Sequence, residues 1–233
     1  MHHGIRPADF KMVSSLLRML TLVSALWQPW TVTAAEPLRI LALGDSLTAG
    51  YGLRPSDGFT SQLERSLQAR GISVVVLNAG VSGDTTSGGL ARLEWALSDQ
   101  PDAVILALGA NDSLRAIDPA LTRSNLNAIL KRLTSQRLPV LLVGTYAPPN
   151  LGEAYATAFN AIYPELATQY QTLLYPFFLD GVAGRPTLNQ DDGLHPTAEG
   201  VAIMVERITP WVLDLIERVQ GIPPGSRPHL NTD

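Results

Sequence analysis

Short aliphatic runs alternate with longer amphipathic segments through most of this chain, and this alternation limits the possible folds more than any other feature. Leu38–Leu43 is the first such run, and the segment Gly58–Arg70 after it has apolar residues at helical spacing. Three further runs begin at Val74, Ala103 and Val140. Strands that alternate with helices form a mostly parallel sheet with helices on both faces. The pattern therefore predicts one α/β domain of this kind.

Prolines predict where some of these elements are interrupted. Pro176 lies inside a fifth run, Leu173–Phe178, and makes it an edge strand, because proline cannot donate a hydrogen bond to a central ladder. Helices are predicted over Ser87–Leu97 and over Glu153–Tyr170. The second of these helices is predicted to be broken or kinked at Pro164.

The first 35 residues have the pattern of a secretory leader. Basic residues precede the apolar stretch Met19–Trp27, and small residues follow it up to Ala35. The stretch is about half of the ~20 residues that a membrane-spanning helix needs, so we expect no membrane span once the leader is removed. The predicted organisation is a signal peptide with an N-terminal extension, one domain and a proline-rich tail, over residues 1–35, 36–218 and 219–233.

Charge and composition exclude several classes of protein. The net charge is −4, and because residues 1–35 carry three basic residues and one acidic residue, the remainder stands at −6. An acidic domain without a lysine or arginine run lacks the charge pattern of a nucleic-acid-binding protein. The chain has no cysteine, which rules out a thiolate nucleophile and any zinc site built on cysteine. The acidic, soluble composition favours a monomer.

Four polar segments lie at the ends of predicted strands or helices. Gly44–Gly50, Asn78–Asp84 and Gly109–Asp112 follow the first three strands. The fourth segment, Asp191–Pro196, precedes the last predicted helix, which runs from about Thr197 to Arg218. Functional groups of open α/β sheets collect at the carboxyl ends of the strands, so we expect these segments to meet there.

Ser46 is the candidate nucleophile, because it lies in a strand-to-helix turn where its hydroxyl can be exposed. A serine hydroxyl needs an adjacent base. Outside the predicted leader the chain has two histidines, and because His229 lies in the proline-rich tail, His195 is the candidate base. Asp192 can orient the His195 ring, and its spacing of three residues favours it over the competing Asp191.

Acyl transfer also requires hydrogen-bond donors for the oxyanion of the tetrahedral intermediate. The candidates are the N–H of Ser46, the N–H of Gly83 and the side-chain amide of Asn111. Taken alone, each polar segment also fits an ordinary structural role, and Asp84 and Asp112 fit helix caps. The four segments together, in this order and on the expected loops, indicate a catalytic site.

The four polar segments resemble the four motif blocks of the GDSL, or SGNH, hydrolase family. The matching residues are Gly44–Leu47, Ser82–Asp84, Gly109–Asp112 and Asp192–His195. Within the family, the chain is most similar to the bacterial group of thioesterase I, lysophospholipase L1 and arylesterase, and the similarity extends from Leu38 to about Trp211.

The resemblance implies a flavodoxin-like three-layer α/β/α fold with a five-stranded, mostly parallel sheet. It also implies an enzyme without a metal or organic cofactor, in a periplasmic or secreted location of a bacterium. The expected partners are small-molecule substrates: aryl and short- to medium-chain acyl esters, lysophospholipids and acyl thioesters.

Carried over by motif, the resemblance implies a role for each candidate residue. Ser46 is the nucleophile, and Asp192 and His195 complete the triad. Ser46, Gly83 and Asn111 form the oxyanion hole. The family pattern therefore agrees with the roles that the residues themselves suggested.

The predicted substrate-binding residues are Leu114, Ala147 and Pro148. Two positions depart from the family pattern. Ala110 stands where the group usually has glycine, and it would be strained if its φ were positive. Ala147 replaces a larger apolar residue near the acyl groove, so the preference for acyl length is not carried over.

Two other functions fit the same motifs. A carbohydrate acetylesterase would use the same catalytic residues, but sugar sites usually carry exposed aromatic platforms. Trp95 and Trp211 lie on amphipathic segments and are expected to be buried, which argues against this alternative. The second alternative is a binding module without activity. Such a module would not require the complete set of candidate catalytic residues, so the presence of the whole set argues against it.

Overall fold

The computed structural model describes Met1 and residues 36–222, so the predicted leader and most of the predicted tail lie outside the described residues. Within the described part, five strands form one sheet in the order β2-β1-β3-β4-β5, and every neighbouring pair is parallel. The strands are β1 Leu38–Gly44, β2 Val74–Gly80, β3 Ala103–Ala107, β4 Val140–Val143 and β5 Leu173–Tyr175. Each lies on one of the five predicted runs.

Nine α-helices connect or follow the strands in the part of the chain that the structure describes. They are α1 Ser46–Ala49, α2 Phe59–Gln68, α3 Thr86–Ala91, α4 Leu93–Leu97, α5 Ala110–Leu114, α6 Pro119–Ser135, α7 Glu153–Asn160, α8 Ile162–Tyr170 and α9 Ala198–Val219. Short 3-10 turns lie at Pro55–Asp57, Pro149–Leu151 and Pro186–Leu188. No described helix has both the length and the apolar character needed to cross a membrane.

The sheet separates two hydrophobic cores, as the predicted three-layer fold requires. Alternate residues of β1 point to opposite faces, so Ile40 packs with α2 and α9 while Leu41 packs with α6 and α8. All five residues of β3 are buried, as expected for a parallel strand covered on both sides. Burial of each large aliphatic side chain contributes about 1.5–3 kcal/mol, so the central strands contribute substantially to the stability of the fold.

Two predicted helices are each divided in two. The segment predicted as Ser87–Leu97 separates into α3 and α4 at Arg92, which leaves helical geometry with φ −102° and ψ 7°. The segment predicted as Glu153–Tyr170 divides at Ala161, three residues before Pro164. Because Pro164 then lies in the first turn of α8, its missing N–H costs no helical hydrogen bond.

The last predicted strand and the last predicted helix are confirmed within small shifts. Strand β5 is at the edge of the sheet and ends at Tyr175, immediately before Pro176. Helix α9 begins after Thr197, whose hydroxyl accepts a hydrogen bond from the N–H of Gly200, and it continues through Pro210 to Val219. The predicted domain boundary at residue 218 therefore falls one residue before the end of this helix.

Candidate active site

Ser46 lies where β1 turns into α1, at the carboxyl end of the central part of the sheet. Asp45 is buried and its Oδ1 accepts a hydrogen bond from the N–H of Leu47 at 3.0 Å, which fixes the turn. Ser46 is the first residue of α1, a position whose N–H has no partner within the helix. The hydroxyl and the N–H of Ser46 therefore both lie at the carboxyl end of the sheet, where a substrate could reach them.

Three of the predicted site residues form a series of hydrogen bonds. His195 Nε2 lies 2.9 Å from Ser46 Oγ, and His195 Nδ1 lies 2.6 Å from Asp192 Oδ2. Asp192 Oδ1 accepts hydrogen bonds from the N–H groups of Leu194 and His195. With Nδ1–H donating to Asp192, Nε2 is free to accept the Ser46 proton.

Asp192, and not Asp191, orients the histidine. The hydrogen bond from the His195 side chain lowers the pKa of Asp192 to about 2, and the backbone N–H groups of His195 and Leu194 contribute to the same shift. The carboxylate therefore remains ionised throughout the neutral pH range, where it can stabilise a protonated His195.

The loop that carries this pair is held by Gln190, which sequence reasoning did not identify. The N–H of Gln190 donates to the His195 carbonyl at 2.7 Å, and its side-chain amide donates to the carbonyls of Tyr51 and Pro196. The Tyr51 ring lies against the His195 ring with centroids 4.5 Å apart. In the sequence, only the position of Tyr51 just after the turn with Ser46 could have indicated that it lies near the site.

The loop with Gly83 is fixed by two arginines. Gly83 has φ 80°, and its carbonyl accepts a hydrogen bond from the Arg115 side chain at 2.8 Å. The next residue, Asp84, forms an ion pair with Arg92 at 2.6 Å and does not cap α3 as predicted. That cap is made by Thr85, whose hydroxyl accepts from the N–H of Gly88.

Asp112 links the two loops that carry the oxyanion candidates. It follows Asn111 in α5, is completely buried, and accepts hydrogen bonds from the N–H and hydroxyl of Thr86 and from the hydroxyl of Thr122. Asp112 does not cap its own helix, as the alternative interpretation held, since the N-cap residue of α5 is Gly109. The carboxylate instead ties α5 to the start of α3, three residues after Gly83.

Ala110 is not strained by its side chain. It is the first residue of α5, and the positive φ of this turn, 119°, belongs to Gly109. The departure from the family pattern at Ala110 therefore leaves the backbone that carries Asn111 undisturbed.

A cavity of about 270 Å³, lined mainly by apolar groups, opens beside the nucleophile. Ser46, Asn111 and His195 line it, together with the predicted substrate-binding residues Leu114 and Pro148. The third predicted residue, Ala147, does not line this cavity but packs against the core beneath α7 and α8. Gly83 is also not among the lining residues.

Comparison with known proteins identifies the family. A sequence profile described as "GDSL-like Lipase/Acylhydrolase family" matches residues 42–203, which is more than half of the chain. The chain belongs to this family. The predicted resemblance is thereby confirmed at the level of the family.

Individual relatives agree with this membership. The chain is 37% identical to Esterase TesA of Pseudomonas aeruginosa over 201 residues, which covers 86% of the chain and 100% of the relative. It is 40% identical to Thioesterase 1/protease 1/lysophospholipase L1 of Escherichia coli K12 over 170 residues, which covers 72% of the chain and 80% of the relative. The crystal structure of AlinE4, an SGNH-hydrolase family esterase, is 46% identical and superimposes with a TM-score of 0.66 over 81% of this chain and 98% of that one.

The turn before Asn111 can be tested with two neighbouring substitutions. In Gly109→Ala, a Cβ at positive φ would collide with the buried Tyr163 hydroxyl, so we expect a loss of about 1–3 kcal/mol in unfolding free energy and reduced ester hydrolysis. The control Ala110→Gly should lose about 1 kcal/mol at most and retain activity. Urea unfolding and kcat/KM on one ester measure both effects, and equal behaviour of the two variants would contradict the assignment of strain to Gly109.

Burial of Asp45 makes the stability of the protein pH-dependent. Desolvation raises the pKa of Asp45 from 3.8 to about 6, although the Leu47 N–H opposes the shift. The folded protein therefore binds more protons than the unfolded chain between these values, and the Asp45 contribution to unfolding free energy falls as pH rises from about 4 to 6. The difference amounts to about 3 kcal/mol.

Asp45→Asn retains an oxygen for the Leu47 N–H but cannot ionise. The wild-type unfolding free energy minus that of this variant should fall between pH 4 and pH 6 and then stay constant. Urea unfolding at unit steps of pH measures the difference, and parallel curves for the two proteins would show that Asp45 does not titrate in this range.

Proposed function

We propose that this protein is a serine esterase that hydrolyses acyl esters and acyl thioesters through an acyl-enzyme on Ser46. One observation carries the proposal: Ser46 Oγ, His195 and Asp192 are joined by hydrogen bonds of 2.9 Å and 2.6 Å beside an apolar cavity. A serine, a base in contact with it and an acid that orients the base are the parts that nucleophilic acyl transfer requires.

Acylation begins when Ser46 Oγ attacks the carbonyl carbon of the substrate and its proton passes to His195 Nε2. Asp192 stabilises the imidazolium that forms. When the tetrahedral intermediate collapses, the alcohol or thiol leaves with the proton from Nε2, and the acyl group stays on Ser46. Water then attacks the acyl-enzyme, His195 again accepts the proton, and the acid is released as Ser46 recovers its hydrogen.

The oxyanion is stabilised by the N–H of Ser46, the N–H of Gly83 and the side-chain amide of Asn111. The free N–H at the start of α1 supports the first assignment, and the presence of Asn111 in the cavity wall supports the third. For Gly83, the support is the anchoring of its loop by Arg115 and Arg92. Loss of one such donor typically costs about 2.7–4 kcal/mol of transition-state stabilisation.

The substrate class follows from the cavity and from the relatives. The apolar walls, to which Leu114 and Pro148 contribute, favour the hydrocarbon part of an acyl ester. The names of the curated relatives specify ester and thioester hydrolysis and lysophospholipid cleavage. Since residues 36–233 carry a charge of −6, recognition of an anionic substrate would depend on local contacts and not on a general attraction.

A carbohydrate acetylesterase is the second candidate, and one observation favours it. Tyr51 and Tyr146 are about half exposed near the nucleophile, where aromatic rings could support a sugar. Trp95 is 72% exposed, contrary to the prediction of burial, but neither Trp95 nor Trp211 lines the cavity. The apolar walls make the acyl ester the preferred substrate.

We also propose that the mature protein acts in the periplasm or is secreted as a monomer, with a domain over 36–218 after a cleaved leader and before a tail over 219–233. The support is the leader pattern of residues 1–35 and the acidic composition of the remainder. Export with cleavage should give a mature N-terminus at Ala35 or Glu36, which sequencing of the secreted or periplasmic protein would detect. An uncleaved chain in the cytoplasm would contradict export.

The catalytic roles are tested by three substitutions. Ser46→Ala should lower kcat/KM for p-nitrophenyl butyrate by about 10⁴-fold or more. Asp192→Asn retains an oxygen for the Leu194 and His195 N–H groups but disturbs the tautomer of His195, so a loss of about 10⁴-fold is expected. The neighbouring control Asp191→Asn should retain wild-type activity. Full activity of Ser46→Ala would overturn the proposal.

The two candidate substrates are compared in one assay series. We expect kcat/KM for p-nitrophenyl esters and for palmitoyl-CoA to exceed kcat/KM for the release of acetate from acetylated xylan. The reverse order, lost in Ser46→Ala, would assign the same catalytic residues to carbohydrate acetylesterase activity.

A further inference from the structure

A second cavity lies next to the one beside the nucleophile. Its volume is about 250 Å³, close to the 270 Å³ of the first. Thr145 and Tyr146 line both cavities, so these two residues form the partition between them. They follow the end of β4 and the residue Gly144, whose N–H donates to the Tyr175 carbonyl of β5.

We propose that the ring of Tyr146 closes the acyl site off from the second cavity and so sets the longest acyl chain that the site accommodates. Without the ring, the far end of a longer chain would enter the second cavity. The proposal rests on the esterase function proposed above and specifies its acyl specificity.

The walls of the second cavity are suited to hydrocarbon. Besides the partition, the lining comes from Asn160, Tyr163, Pro164, Leu174 and Pro176. Two polar atoms of this set are engaged within the protein: the Tyr163 hydroxyl donates to the Leu108 carbonyl, and Asn160 Oδ1 accepts from the N–H of Ala147. Prolines, a leucine and an aromatic ring therefore supply most of the surface left for a ligand, and they favour an alkyl chain over a sugar or a charged head group.

Tyr146 is the part of the partition that can be removed without disturbing the core. Its side chain is 50% exposed, and its ring packs on Phe177, with centroids 4.9 Å apart. Phe177 itself lines the first cavity. The ring of Tyr146 thus closes the far side of the acyl site from a position at the surface, whereas Thr145 contributes only a small side chain to the partition.

The position of Tyr146 changes the sequence-based interpretation of acyl specificity. The sequence analysis linked acyl length to Ala147 because this residue is smaller than its counterparts, but Ala147 does not line either cavity. The residue immediately before it carries the bulky side chain that separates the two spaces.

The experiment measures kcat/KM for p-nitrophenyl esters from C2 to C16. Wild-type values should rise with chain length and then level off once the first cavity is filled. In Tyr146→Ala the rise should continue to longer chains, with each additional methylene raising kcat/KM roughly fourfold relative to the preceding ester. An ester two carbons beyond the wild-type limit should therefore gain about 16-fold relative to the ester at that limit.

Three controls separate the role of the ring from other effects. Tyr146→Phe retains the ring, so the length limit should stay where it is in the wild type. Trp95→Ala removes an exposed aromatic ring that lines neither cavity and should also leave the limit unchanged. Leu174→Phe in the Tyr146→Ala background adds bulk to the second cavity and should restore the shorter limit, with the thermal midpoint measured to confirm folding.

Binding of saturated fatty acids from C4 to C16 to each folded variant, measured by calorimetry, provides a readout that does not need turnover. If no p-nitrophenyl ester is hydrolysed by the wild type, the proposed function fails, while a Tyr146-dependent length limit in fatty-acid binding would still support the second cavity. An unchanged limit in Tyr146→Ala, in both hydrolysis and binding, would overturn the inference even if the enzyme is an active esterase.

Discussion

The arrangement of the active-site loops depends on the hydrogen bonds of one arginine. The Arg92 guanidinium donates to the carbonyls of Gly44 and Ala79, at the ends of the first two strands, and to the Asp84 carboxylate. The side chain is 16% exposed, so these bonds form in surroundings where unpaired carbonyls would be costly. One planar cation thereby fixes the strand end before the nucleophile turn relative to the loop that carries Gly83.

Two carboxylates near the nucleophile have opposite pKa shifts because their surroundings differ. Asp45 is buried and accepts one backbone hydrogen bond, so desolvation dominates and its pKa rises to about 6. Asp192 lies at the surface and accepts hydrogen bonds from the His195 ring and from two N–H groups, which lower its pKa to about 2. The difference suits a structural role for Asp45 and an ionised partner of histidine at Asp192.

Much of the fold was predictable because parallel strands buried on both faces are continuous apolar runs. The triad candidates were predictable as well, since the chain offers few histidines and Asp192 lies within local reach of His195. The helix break at Arg92 was not, because it coincides with contacts to strand ends that are distant in sequence. Nor was the exposure of Trp95, which lies on a helix of five residues, too short for an apolar face to be read from its spacing.

The walls of the acyl site were the least predictable part. Tyr146 and Phe177 follow different strands, and their contact depends on how β4 and β5 lie side by side at the edge of the sheet. The sequence pointed to Ala147 and Pro148, of which Pro148 lines the cavity, but it did not single out Tyr146. Side-chain direction in a loop follows from local backbone geometry that no periodic pattern encodes.

The distance along the chain between Ser46 and His195 has a consequence for the timing of folding. The two residues are 149 positions apart, and the loop with Asp192 and His195 directly precedes α9. That helix packs against α2, and Gln62 of α2 donates a hydrogen bond to the carbonyl of Ala198 at its start. Because closing a loop of this length has an entropic cost that the packing of α9 on α2 must offset, a nascent polypeptide that still lacks its last helix contains Ser46 and His195 but does not hold them together. The hydrogen bond between Ser46 and His195 is therefore expected to form late, when the last helix packs on α2.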